Sequence, residues 1–435
     1  MKNNTFKIVL LVLCSLILVA ELGFVGYTHL AGSAEPAPTE PPVVQATEAP
    51  TEAPAEESTE VPTEAPTEEP TEAPTEEPTE APTEAPTEPT RFTLTFAGDC
   101  TFGSTASKWN NGSSFIQTIG ENYAWPFANL VEFFANDDFT MINLEGPLTE
   151  SGSAAQKTFA FRGPLAYTQI MTGSSVEAVT LANNHSMDYG KEGYQSTLSA
   201  LESAGIGYVE ENKTSLYVTE SGLTIGLYAD SFDFSASDIK KNVQALQDAG
   251  ADIIVCAFHW GTEGSYRPNA TMEKMAKTAI DAGADIIYGH HPHVLQRIET
   301  YGDGIIYYSL GNCSFGGSTA PKDFDSAIVQ QEVIRNEDGS FSLGQLTIIP
   351  ISVSSIKGQN NYQPTPLEVG SDAYNRVLTK LDGTFTGPDL VVDYSHLEPT
   401  TAPTVAPTEA PAPTAPAAGE SSGSGSGSES GDAAG

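Results

Sequence analysis

The stretch Ile253-Ile-Val-Cys-Ala-Phe-His259 is an apolar run that ends in a histidine. A helix-like segment follows at 271–282, and a second apolar run at 285–288 leads into Gly289-His-His-Pro-His293. Apolar runs of this length, separated by a segment of helical periodicity, predict strands that are buried on both faces and joined by a helix. This unit indicates an α/β fold in which polar side chains collect at the ends of the strands.

The same alternation extends to both sides of this unit. Further strand-like runs occur at 92–98, 138–144, 176–182, 223–229 and 304–310. Further helix-like segments occur at 125–135, 190–203, 237–248 and 371–381. Two late runs, 326–335 and 341–354, are joined by Asn336-Glu-Asp-Gly339, which favours a hairpin turn. The whole pattern predicts an α/β layered sandwich.

The composition divides the rest of the chain from this domain. Residues 34–90 consist of Pro-Thr-Glu-Ala-Pro units, and residues 399–435 are rich in Thr, Ala, Pro, Gly and Ser. Both stretches have too few apolar residues to offset the entropy of ordering, so we expect a disordered linker and a disordered tail. Residues 91–398 remain as the folded domain, with 36 acidic and 17 basic side chains. This negative charge argues against nucleic acid as a partner.

Residues 1–33 predict export. Lys2 and Lys7 precede an apolar stretch from Ile8 to Leu30 that is interrupted at Glu21. A positive flank followed by an apolar run is typical of a signal sequence, and this run is long enough to span a membrane. We expect an uncleaved, single-pass anchor with the domain outside the cell. The alternative is secretion after cleavage near Gly32-Ser-Ala34, a small-residue site.

Histidine is concentrated in the predicted domain. Five of the seven histidines lie between positions 185 and 293, and Asp99 and Glu145 each follow a strand-like run. Carboxylate and imidazole groups raised on strand ends suit divalent transition metals. The sequence therefore predicts a metal site, with two ions as the expected number.

The segments around these residues suggest separate roles. Asn143 and Glu145 share one side of a strand end, and Asn184 can bind a metal through its amide oxygen while His185 faces the substrate. Asp188 follows in the same motif, where it can cap the next helix or orient His185.

The last histidine motif offers two further ligands. In an extended segment His291 and His293 point to the same side, and His290 points away from them. Tyr308-Ser-Leu-Gly-Asn312 reads as another strand end, whose asparagine can line the same rim.

Taken together, these motifs resemble those of the bacterial CapA family, which is linked to poly-γ-glutamate capsule synthesis and is related to the calcineurin-like metallophosphoesterases. The resemblance covers about 92–355 and is carried by segments in a fixed order: Phe96-Ala-Gly-Asp99, Asn143-Leu-Glu-Gly146, Phe159-Ala-Phe-Arg-Gly163, Ala182-Asn-Asn-His185, His259-Trp-Gly-Thr-Glu263, Gly289-His-His-Pro-His293 and Ser309-Leu-Gly-Asn312.

The resemblance implies a four-layer αββα sandwich of the metallophosphoesterase type and two divalent ions, either Mn, Fe or Zn. The ligands that it implies are Asp99, Glu145, Asn184, His259, His291 and His293, with His185 as the catalytic general acid. Residues expected to contact the substrate or to support the ligands are Asn143, Arg162, Asp188, Glu263, His290 and Asn312. Two positions depart from the phosphoesterase pattern: Thr101 replaces the histidine of Asp-x-His, and Glu145 replaces an aspartate.

Three functions remain open at this point. The first is a metal-dependent hydrolase on the bacterial cell surface that acts on an anionic envelope polymer, which the resemblance identifies as poly-γ-glutamate. The second is a non-catalytic factor for polymer assembly or export that works with membrane capsule-synthesis proteins. The third is a phosphoesterase that acts on a lipid-linked or wall phosphate.

Overall fold

A computed structural model describes residues 89–394 of the chain. The predicted anchor at 1–33, nearly all of the linker at 34–90 and the tail at 399–435 lie outside the described residues. Within residues 89–394, none of the helices has the length and apolar character needed to cross a bilayer.

The first sheet is parallel on one side and antiparallel on the other. Its strands, in chain order, are β1 (Thr90–Thr101), β3 (Phe139–Leu144), β5 (Ala178–Thr180), β6 (Gly207–Val209), β13 (Asn312–Phe315), β14 (Asp325–Arg335), β15 (Phe341–Ser352) and β16 (Thr365–Pro366). The spatial order is β16-β15-β14-β1-β3-β5-β6, and β13 pairs in parallel with β1. A separate pair is formed by β2 (Ser104–Thr105) and β4 (Phe161–Arg162).

The second sheet has six strands, and its four central strands are parallel. These are β7 (Lys213–Val218), β8 (Thr224–Ser231), β9 (Ile253–His259), β10 (Ile286–His290), β11 (Ile298–Tyr301) and β12 (Gly304–Tyr307), in the spatial order β11-β12-β10-β9-β8-β7. Strands β9 and β10 are buried along their whole length, which explains why both are continuous apolar runs.

Helices lie between the strands, and one follows the last strand. They are α1 (Phe115–Ile119), α2 (Val131–Phe134), α3 (Thr168–Thr172), α4 (Gly190–Ala204), α5 (Ala236–Asp248), α6 (Ala270–Asp281) and α7 (Asp372–Leu381). The ends of α5 and α6 are fixed by local chemistry, since Ser235 and Asp238 form a capping box and the Asn269 side chain accepts from two backbone N–H groups.

Three buried apolar clusters define the layers. One joins the first sheet to α1, α2, α3 and α4, a second lies between the two sheets, and a third joins the second sheet to α5 and α6. The order of layers is therefore helix, sheet, sheet, helix, and the prediction of an α/β fold is confirmed.

The predicted helix at 125–135 is wrong over most of its length. Only Val131–Phe134 is helical, and turns occupy the residues before it. Phe127, Leu130 and Phe134 are nonetheless buried in one cluster. Apolar residues spaced by three and four positions predict that one side of a segment is buried. Consecutive turns can bury one side in the same way, so this spacing does not require a continuous helix.

Candidate metal centre

The carboxyl ends of the parallel strands bring the polar motifs together. Asp99 on β1 is in register with Asn143 on β3 and with Asn312 on β13. On the second sheet, His259 at the end of β9 is in register with His290 at the end of β10. Because the two sheets pack face to face, their strand ends can contribute to one site.

Asp99 is fully buried and held from several sides. Asn143 Nδ2 donates to its Oδ1 at 2.8 Å, and the backbone N–H of His291 donates to its Oδ2 at 3.3 Å. The Nδ1 atom of His293 lies 3.1 Å from the same Oδ2. Burial alone would raise the pKa of Asp99, but the hydrogen bond and charge of His293 lower it overall.

Glu145 is the most informative residue of the site. Its side chain is 0 % exposed, and neither carboxylate oxygen has a hydrogen-bond partner among the described residues. Its Oε1 lies 3.8 Å from His259 Nε2, 3.7 Å from His293 Nε2 and 4.0 Å from His185 Nε2. A buried carboxylate without a donor is costly, and a cation is the partner that its surroundings can accommodate.

His259 presents one ring nitrogen to the site and the other to a supporting residue. Its Nε2 lies 2.8 Å from Asn184 Oδ1 and 3.1 Å from His291 Nδ1, whereas its Nδ1 lies 2.8 Å from His290 Nδ1. Nε2 is therefore the atom that faces the proposed metal position, and His290 contacts the opposite side of the ring.

The expectation of an extended segment at 291–293 is wrong. His291 has φ 102° and His293 has φ 55°, values in the left-handed region that non-glycine residues seldom adopt. The two rings still converge, with centroids 5.9 Å apart. Their approach results from a tight turn around Pro292 rather than from the alternation of side chains along a strand.

Two groups of side chains share Glu145. Glu145, His259 and His291 each offer a ligand atom within 4.8 Å of the others, as do Asp99, Glu145 and His293. Asn184 extends the first group through its contact with His259. Asn312 extends the second, because its Oδ1 lies 2.9 Å from His293 Nδ1. Oxygen and imidazole donors in this arrangement fit divalent cations.

The pKa values of the ionisable groups in this site are shifted from their usual values. Burial raises the pKa of Glu145 well above its usual value. Burial opposes the charged form of His293, yet the carboxylates of Glu145 and Asp99 raise its pKa to about 10. In His291 and His290, burial lowers the pKa to about 3 and about 4, which favours the neutral form of both imidazoles.

His185 is set apart from these groups by its neighbours. Asp188 Oδ2 lies 2.7 Å from His185 Nδ1, which orients the ring so that Nε2 faces Glu145. Lys157 pairs with the other oxygen of Asp188, and the Phe161 ring packs 4.7 Å from the imidazole. Burial lowers the pKa of His185, and Asp188 opposes this effect. Asp188 does not cap the following helix, because that helix has no side-chain cap.

A cavity of about 260 Å³ opens beside the site. Its lining includes His185, His293 and Asn312, several aromatic rings, and Lys108 and Lys322. Glu263 also lines it. Arg162 is not among its lining residues, because its guanidinium packs between the rings of Trp109, at 4.8 Å, and Tyr189, at 5.1 Å. The role predicted for Arg162, contact with the substrate or support of the ligands, stays a prediction.

The structure also adds residues for which the sequence predicts no role. Asn183 Nδ2 donates to Asn143 Oδ1, and Asn183 Oδ1 accepts from the backbone N–H of His185, so this side chain links two strand ends. Phe232 packs edge-on against the rings of His259 and His291. Asn183 lies inside a motif recognised from the sequence, whereas no sequence signal marks Phe232.

Comparison with known proteins gives a consistent result. The family model described as bacterial capsule synthesis protein PGA_cap matches residues 93–316, a range that contains all of the residues predicted for the site. The capsule biosynthesis protein CapA of Bacillus anthracis is 28 % identical over 320 residues, which cover 67 % of this chain and 73 % of that protein. The PGA biosynthesis protein CapA of Bacillus subtilis is 32 % identical over 286 residues, covering 60 % and 74 %.

Among solved structures, the NAD nucleotidase of Haemophilus influenzae is similar over 68 % of this chain and 63 % of that chain, with 12 % identity and a TM-score of 0.37. This similarity is too distant to bear on fold or activity.

Proposed function

The chain belongs to the family of bacterial capsule synthesis proteins matched by PGA_cap, and from this premise we propose that it acts on poly-γ-glutamate, or a related anionic envelope polymer, through a centre of two divalent metal ions. The observation that carries the proposal is Glu145, a fully buried carboxylate with histidines on several sides, whose two oxygens have no hydrogen-bond partner within residues 89–394. The names of the relatives support the polymer, since one is described as a PGA biosynthesis protein.

The residues assigned to each ion follow from the two groups that share Glu145. Glu145, Asn184, His259 and His291 would hold one ion, and Asp99, Glu145 and His293 would hold the other. Mn, Fe and Zn are all compatible with these oxygen and nitrogen donors. Helix–sheet–sheet–helix layering with the site at the strand ends supports a metallophosphoesterase-like scaffold.

Hydrolysis is the reaction that this site supports best. Bound metal ions of this kind polarise the scissile group and lower the pKa of water. His185 lines the cavity, and its contact with Asp188 fixes the orientation of its ring. In this position it is suited to transfer a proton to the leaving group. Lys108 and Lys322 on the cavity lining would attract carboxylates of an anionic chain.

One observation favours a second function, non-catalytic binding of the polymer during assembly or export. Thr101 stands where a phosphoesterase has a metal-binding histidine, and its buried Oγ1 has no hydrogen-bond partner among the described residues. A centre with fewer ligands can still hold cations that bridge the protein to a polyanion. Membrane capsule-synthesis proteins would then be its partners.

The proposed location is the outer side of the bacterial membrane, with residues 1–33 as an anchor. Lys2 and Lys7 before the apolar stretch support this orientation. Protease added to intact, wall-stripped cells should release the domain. Protection from the protease, or full recovery of the protein in the medium without it, would contradict the anchor.

Incubation of the purified protein with poly-γ-glutamate tests whether it hydrolyses the polymer. Metal-loaded protein should shorten the polymer, and chelated protein should not. If the loaded protein binds the polymer without shortening it, the assembly function is correct. If it neither binds nor shortens the polymer but hydrolyses phosphate esters, the phosphoesterase function replaces both.

A further inference from the structure

Glu263 lies beside His291 and His293 of the proposed centre, and it lines the cavity. It follows His259 in the loop after β9, and the next residue, Gly264, donates its N–H to Pro292 O at 2.8 Å. This bond joins the Glu263 loop to the turn that carries His291 and His293. A carboxylate oxygen of Glu263 and a ring nitrogen of each of these histidines lie within 4.8 Å of one another.

The carboxylate of Glu263 is held by a residue far away in the chain. Tyr394 donates its hydroxyl to Glu263 Oε2 at 2.7 Å, and the Tyr394 ring packs edge-on against Phe159 at 4.9 Å. Tyr394 also lines the cavity. The tyrosine therefore fixes both the direction of Glu263 and one wall of the opening.

Tyr394 belongs to a segment, here called the C-terminal strap (residues 385–394), that also contributes Leu390 and Val392 to the cavity lining. Leu390 N donates to Gly264 O at 2.9 Å, and Lys322 Nζ bonds to Val391 O. Asp389 accepts from the Tyr266 backbone and pairs with Arg267 at 2.9 Å. The strap is thus attached to the Glu263 loop at several points before Tyr394 reaches the cavity. It lies beyond the residues that the family model matches.

We propose that Glu263 is an additional metal-binding side chain and that Tyr394 of the C-terminal strap is the positioning residue that directs it. The inference rests on the proposed two-metal centre. Glu263 supplies a carboxylate oxygen next to His291 and His293. This oxygen replaces, in the number of ligands, the histidine that is absent because residue 101 is threonine. The C-terminal strap then forms part of the metal site through the hydroxyl of Tyr394.

Metal affinity of the full chain, measured by competition with a chromophoric chelator, tests this role. Glu263→Gln keeps the shape of the side chain and its hydrogen bond to Tyr394 but removes the negative charge, so we expect affinity to fall at least about tenfold. Tyr394→Phe keeps the ring against Phe159 and removes only the hydroxyl, so we expect a smaller loss in the same direction. Glu263→Asp should restore part of the affinity.

Matched controls separate this effect from general damage. Glu192→Gln removes one exposed carboxylate from α4, and Tyr374→Phe removes one hydroxyl from α7, away from the site. Both should bind metal like the wild type. Thermal unfolding of every metal-free variant should match the wild type, so that a lower affinity reports the site and not the fold.

The Co²⁺-loaded protein provides a second readout, because its visible absorption depends on coordination number. Glu263→Gln should change the spectrum of the wild-type protein, whereas Glu192→Gln should not. Unchanged affinity and an unchanged spectrum in Glu263→Gln would overturn the role of Glu263 and leave the two-metal centre standing. A wild-type protein that binds no metal would overturn both.

Discussion

The Nδ1 atoms of His259 and His290 lie 2.8 Å apart across the adjacent strands β9 and β10. One ring must donate and the other accept, and this contact leaves His259 Nε2 facing Asn184 and Glu145. A metal-binding imidazole usually has its second nitrogen bonded in this way, although the partner is more often an oxygen. Both side chains are fully buried, so water does not compete for the bond.

The first prediction concerns this pair. Replacement of His290 by alanine removes the partner of His259 Nδ1, and metal affinity should fall about 10- to 100-fold because the His259 ring is no longer fixed. His290→Gln keeps a hydrogen-bonding group and should lose less. Metal titration of both variants, with their thermal stability as the control, checks this. Equal affinity in His290→Ala and the wild type would show that His290 has no role in orienting His259.

The second prediction separates His185 from the ligands. His185→Ala should reduce the rate on any hydrolysed substrate about 10²- to 10⁴-fold, the usual range for a lost general acid. Metal content should stay the same, since Asn184, and not His185, contacts His259. Asp188→Asn should reduce the rate in the same direction, because it weakens the bond that orients His185. Loss of metal from His185→Ala would instead make His185 a ligand.

The third prediction concerns pH. The pKa of Glu145 is raised by burial and that of His293 is raised to about 10 by its acidic neighbours, so a cation must displace protons from both groups. Apparent metal affinity should therefore fall as pH falls and should still rise with pH above neutrality. Chelator competition between about pH 6 and pH 9 measures this dependence. An affinity that levels off near pH 7 would mean that His293 titrates as an ordinary histidine.

The fourth prediction concerns stability away from the site. Lys380 on α7 is 3 % exposed and pairs with Asp323 at 2.6 Å and with Asp325 at 2.8 Å. Lys380→Ala removes a buried ammonium group that both Asp323 and Asp325 contact, and it should cost about 3–5 kcal/mol in the free energy of unfolding. Arg376, whose side chain is 47 % exposed, also pairs with Asp325, and Arg376→Ala should cost much less. Chemical denaturation gives both values, and equal losses would contradict this ranking.

Sequence patterns predicted the strands well because burial on both faces leaves a continuous apolar run, as in Ile253–His259 and Ile286–His290. The polar residues that end these runs could then be assigned to one edge of a sheet. The turn at His291 and His293 could not be predicted, since positive φ is uncommon for any residue other than glycine. The contact between Glu263 and Tyr394 joins residues 131 positions apart, and no local pattern records it.

Metal content of the purified protein decides whether Glu145 is shared by two ions. The wild-type protein should bind about two divalent ions per chain, as expected for a two-metal site. Glu145→Ala should lose both, and His291→Ala with His293→Ala should lose most of the metal with the fold intact. Wild-type metal content in Glu145→Ala, measured by elemental analysis of the folded variant, would contradict the shared carboxylate and with it the proposed centre.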